Sequence, residues 1–202
     1  MMMTMLYVKG SGHVMAAFTR ATDTAAQSAP AGPEPGADEV LDAPATAEVS
    51  AVAGAELVVR GFADPAGTSY NLAPIAIDAQ KLMALTMPRD DAALLSPRLY
   101  AVVDGKKLSV LPAASAVALS VAAATPRTLK LTLPASAAGP TWVHVFLVPG
   151  VGADGPSQVF STVYTPGGGG NLSFTSSTPL SGSYDALILV QGFVAVALQV
   201  TV

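Results

Sequence analysis

No cysteine occurs anywhere in the 202 residues, so disulfides, thiol nucleophiles and cysteine-ligated zinc are excluded together. Charge is scarce as well: Asp, Glu, Lys and Arg make up 12% of the chain, and the formal net charge is −4. A nucleic-acid partner needs a basic face to displace counterions, and none is expected as a partner here. Only two histidines are present, His13 and His144. A hydrolytic triad needs histidine beside a nucleophile and an acid. His144 stands mid-strand between Trp142 and Phe146 and reads as a packed side chain; His13 follows a glycine turn and reads as a solvated hairpin residue. The adjacent carboxylates Asp38-Glu39 and Asp90-Asp91 do not share an ion in extended chain, because neighbours on a strand point to opposite faces. Asp90-Asp91 instead suits a cap ahead of Ala92-Ala93-Leu94-Leu95. No catalytic, cofactor-binding or metal-ligating set emerges, and the expectation is a protein that is not an enzyme.

Long hydrophobic runs are also nearly absent. The one uncharged candidate, Ala186 to Val202, has 17 residues, the bottom of the range for a transmembrane helix. Gln191-Gly192 and Gln199 interrupt it, and no Lys or Arg flanks it to set an orientation. Val194, Val196, Leu198, Val200 and Val202 alternate with small or polar residues, which is the period of two that a strand imposes. Residues 183–202 are therefore predicted to form a hairpin turning at Gln191-Gly192, with no membrane insertion. The N-terminus carries no ordinary secretory signal, since Lys9 breaks its apolar run and Gly10-Ser11-Gly12 follows. A protein that stays in the cytoplasm as synthesised, or leaves as part of a particle, is expected.

What the chain has in quantity is small and turn-forming residues. The hydrophobic set is 51%, much of it alanine, and 18 Gly and 16 Pro suit short strands joined by many turns. Residues 5–20 read as a hairpin about Gly10-Ser11-Gly12. Residues 21–50 hold six carboxylates, Asp23 to Glu48, and no basic residue; this acidic Pro/Ala/Gly-rich composition reads as a long loop, or as an arm that orders on a neighbour. Glu56 to Phe62 reads as a strand. Pro74 to Asp78 alternates, while Ala79 to Leu85 is ambiguous between strand and one turn of helix. Leu99 to Leu111 is the clearest hairpin, with Asp104-Gly105 suiting a type I′ turn. The fold class predicted is all-β, with an N-terminal β-domain over residues 1–112.

Residues 113–202 supply the rest. Residues 112–125 lean to a strand over a helix. TLKLTL, TWVHVFLV, QVFSTVY, NLSFTSS and the closing hairpin follow, separated by turn clusters; Thr165 to Asn171, TPGGGGN, reads as a loop. Seven short strands at this spacing predict a β-sandwich. Trp142 in the third strand and Tyr184 at the head of the sixth stand where an immunoglobulin-like domain keeps its core tryptophan and tyrosine corner. The segment resembles that architecture, and no particular family. The accompanying cysteines are missing: Ala186 stands two residues after the tyrosine.

Charge distribution is the most informative oddity. Beyond Lys130 the only charged residues are Asp154 and Asp185, although exposed strand faces normally carry charge for solubility. In TWVHVFLV both faces are bulky, with Trp142, Phe146 and Val148 on one and Val143, Val145 and Leu147 on the other. In DALILV, Leu187 and Leu189 oppose Ile188 and Val190. A sandwich strand has one core face, so the second must be covered, by another copy, another protein or residues 1–111. Val143, Val145, Leu147, Leu187 and Leu189 are the candidate interface, with Trp142 and Ile188 assigned to the core. The function expected is a non-enzymatic structural subunit of a large assembly: a phage-like or tail-like particle, a capsid decoration or a filament. The alternative is a carbohydrate- or protein-binding sandwich module.

Overall fold

The computed structural model describes residues 1–19, 48–51, 57–59, 62–63, 69–70, 75–113, 117–122, 128–133, 139–150, 153, 155–165 and 170–201. Every strand pair among them is antiparallel, and the fold is all-β. In the N-terminal half the strands are β1 (Met2–Val8), β2 (Val14–Thr19), β3 (Glu48–Ala51), β4 (Leu57–Val59), β5 (Phe62–Ala63), β6 (Ser69–Tyr70), β7 (Ile75–Ile77), β8 (Leu82–Pro88), β9 (Tyr100–Val103) and β10 (Lys107–Val110). One sheet runs β2-β1-β8-β3, and β9–β10, β4–β7 and β5–β6 are two-stranded pairs.

The predicted first hairpin is β1–β2, and its turn is crowded. Gly10 and Gly12 hold φ of 80° and 75°, a region that side chains avoid. A Cβ on Gly10 would lie 2.6 Å from the Trp142 ring, and one on Gly12 would lie 2.3 Å from the Val102 carbonyl oxygen. The ambiguous stretch after Pro74 divides into β7, a 3-10 turn Ala79–Lys81 and β8. Asp90 caps the short helix α1 (Asp91–Leu95), its carboxylate accepting from the Ala92 and Ala93 amides at 2.9 and 3.1 Å. In the β9–β10 turn Asp104 and Gly105 both have positive φ, 53° and 66°, as a type I′ turn requires.

The C-terminal half contains β11 (Ala118–Ala122), β12 (Thr128–Thr132), β13 (Thr141–Pro149), β14 (Gln158–Tyr164), β15 (Asn171–Thr175), β16 (Ser183–Val190) and β17 (Val196–Thr201). They form two sheets, β11-β12-β15 and β14-β13-β16-β17. In β12, Leu129 and Leu131 are buried while Lys130 and Thr132 are exposed, a one-faced strand. The buried leucines meet Val143, Val145, Leu147, Tyr184, Ile188 and Val190 between the sheets. Near the C-terminus β16 and β17 pair as an antiparallel hairpin about the turn at Gln191-Gly192, and no helix among the described residues is long and apolar enough to cross a membrane.

The other face of the four-stranded sheet is covered by the chain itself. Phe146, Val148, Leu187 and Leu189 share a core with Val8, Met15, Ile75, Ile77 and Leu82. This sheet is a middle layer buried on both sides, which is why β13 and β16 lack polar alternation. Among the described residues no sheet crosses Pro112, but the apolar core does, so that boundary separates strand pairing and not packing.

Register corrects the sequence-based assignment of faces. Val145 pairs with Ile188, Val143 with Val190 and Leu147 with Ala186, and directly paired residues share a face. Val143, Val145 and Leu147 therefore point into the sandwich together with Ile188, while Leu187 and Leu189 point into the N-terminal layer. All five are at most 1% exposed. Trp142, assigned to the core, is 40% exposed on the outer face, and Val143 fills the core position beside it. Tyr184 is fully buried between the sheets. Of the predicted acidic loop, residues 21–47 lie outside the described residues, and residues 48–50 belong to β3. In TPGGGGN, residues 166–169 lie outside them too.

Candidate functional site

Strand β14 alternates, with Gln158 and Tyr164 buried and Val159, Ser161 and Val163 exposed. It is an edge of the middle sheet: β13 is its one strand partner among the described residues. Its outward residues lie beside the outward residues of β13 in the pairs Val159 with Phe146, Ser161 with His144 and Val163 with Trp142. The N-terminal layer covers His144 and Phe146 but stops short of the rest. Trp142, Val159 and Val163 remain 40%, 43% and 40% exposed, and β14 carries no charge. Edge strands of soluble proteins are normally blunted by charge, Pro or a bulge, because their free amides and carbonyls template further pairing.

His144 anchors the border of this strip. Its Nε2 lies 3.0 Å from the Lys9 carbonyl oxygen and its Nδ1 lies 2.9 Å from Ser161 Oγ. The carbonyl only accepts, which assigns the proton to Nε2 and makes Nδ1 the acceptor of the Ser161 hydroxyl. Burial lowers the imidazole pKa, and the nearby Lys81 charge lowers it further against the raising effect of the Lys9 carbonyl. The ring stacks on Trp142, with centroids 5.8 Å apart at 11°. Lys81 Nζ reaches Ser161 Oγ at 3.4 Å. Hydroxyl, imidazole and carbonyl in series is also the bonding order of an acyl-transfer site, but that chemistry needs donors placed for an oxyanion. Ser161 and His144 are cross-strand partners flanked by Val159, Val163 and Trp142. We read the series as a tie that holds the β1–β2 turn on β13.

His13, read from sequence as solvated, is 1% exposed. Its Nε2 lies 2.7 Å from the Phe193 carbonyl oxygen and clamps the N-terminal layer to the β16–β17 turn. Desolvation lowers its pKa to about 4. Among the described residues no group of three or more His, Asp or Glu side chains is placed to hold a metal ion. The exposed strip itself was hidden from sequence reasoning, because QVFSTVY looks like any half-buried strand until its sheet neighbours are counted. Its lack of charge was the one visible signal. No protein-family model, curated protein or solved structure matches the chain.

Proposed function

We propose that this chain is a non-enzymatic structural subunit of a larger protein assembly, and that copies join through the edge of β14. The observation that carries this reading is the uncharged edge strand bordered by exposed Trp142, Val159 and Val163. An incoming antiparallel strand would satisfy the edge amides and carbonyls, and its side chains would bury the valines and the indole. The sandwich itself we read as immunoglobulin-like. Counting strands from β11, the first, second and fifth form one sheet, and the fourth, third, sixth and seventh form the other. Tyr184 buried at the head of the sixth supports this; the exposed Trp142 departs from it.

Light scattering at micromolar concentration tests the reading. The native chain should exceed its 20.3 kDa monomer mass, and Val163→Lys should return it to monomer with an unchanged circular dichroism spectrum. A monomeric native chain overturns self-assembly. The half-exposed indole of Trp142 then favours the second reading, a carbohydrate- or protein-binding module with that ring as its platform, and Trp142→Ala should abolish such binding.

A further inference from the structure

Three hairpin turns converge on one cavity of about 740 Å³. The β1–β2 turn contributes Lys9 to Gly12, the β9–β10 turn contributes Asp104 and Gly105, and the β16–β17 turn contributes Gln191 and Gly192. Sites that hold drug-sized molecules fall in this size range and combine apolar walls with a few placed polar groups. Here Val103, Val110, Leu111 and Pro112 supply apolar wall. Val110 is 65% exposed, so apolar surface in the cavity faces water. Ser11 lines the same cavity at 2% exposure. Its Oγ is buried and has no hydrogen-bond partner among the described residues, a state that native structures rarely leave unanswered.

We propose that this cavity binds a small uncharged organic molecule with an apolar body and one hydrogen-bonding group, which Ser11 Oγ receives. The charges in its lining, Lys9 and Asp104, are one of each sign and sit on different turns, so the lining favours neither anion nor cation. His13, two residues beyond Ser11, is neutral at physiological pH and adds no charge. Glycines at the turns keep side chains out: Gly12 presses on the Val102 backbone and Gly10 on Trp142, while Gly105 and Gly192 leave open space where a Cβ would stand. The inference rests on the cavity alone and stands apart from the assembly reading.

Fluorescence titration of the full chain with N-phenyl-1-naphthylamine tests it, since that probe is an uncharged diaryl amine with a single N–H donor. Saturable binding at one site per chain is expected. 1-Anilinonaphthalene-8-sulfonate, of similar shape but anionic, should bind at least about tenfold more weakly, because the lining offers it no net positive charge. Ser11→Ala should weaken the neutral probe about fivefold through loss of one hydrogen bond, with the melting temperature unchanged. Val110→Asp, at a position exposed enough to tolerate charge, should weaken it more. Absence of saturable binding, tighter binding of the sulfonate, or native affinity in both variants would each overturn the proposal.

Discussion

Burial sets the chemistry of His13, and pH reads it out. The unfolded chain protonates this imidazole near its ordinary value of about 6.5, the folded chain near 4. Between those values the unfolded state holds more protons, so the contribution to stability is complete above the upper value and drains as pH falls to the lower. The loss is on the order of 3 kcal/mol. His144 is shifted in the same direction. Urea midpoints taken from neutral pH down to about 4 should therefore fall, and His13→Gln should flatten much of that slope; equal slopes in both proteins would contradict the assignment. At Tyr184 the hydroxyl lies in a packed interior, close enough to Gly155 that a Cβ there would approach it to 2.8 Å. Tyr184→Phe should cost about 1 kcal/mol by urea unfolding, the usual size of a lost buried hydroxyl interaction.

At the scale of the strand, parity decides everything. Val145 and Ile188 are direct partners on one inward face, so Val145→Lys and Ile188→Lys should fail alike, each burying an unpaired charge at a cost of several kcal/mol. Circular dichroism of the two proteins checks this, and a folded Val145→Lys would contradict the register. Local signals in the sequence were sufficient for most elements. Gly10-Ser11-Gly12 and Asp104-Gly105 mark their turns through backbone angles that few residues tolerate, Asp90 marks its cap, and Leu129 and Leu131 mark a one-faced strand. Face assignment in β13 and β16 was not legible. Both faces of these strands are apolar, so alternation carries no label for inside and outside, and only the cross-strand register supplies one. The same ambiguity placed Trp142 inside when it lies at the border.

At the scale of the whole molecule, the scarcity of charge after Lys130 has two causes that sequence alone does not separate. Much of it reflects a middle sheet buried between the chain's own layers, where Phe146, Leu187 and Leu189 meet Ile75, Ile77 and Leu82. That covering comes from residues far away in sequence, which periodicity does not detect. The remainder is the exposed strip on β14, where no described element lies over Val159 and Val163. If that edge pairs with a second copy, its amides exchange slowly only when copies meet. Hydrogen–deuterium exchange across a dilution series measures this directly. Peptides spanning Gln158–Tyr164 should gain protection as protein concentration rises, while those spanning Thr128–Thr132, already paired on both sides by β11 and β15, should stay constant. Exchange in β14 that is the same at every concentration would contradict assembly through this edge.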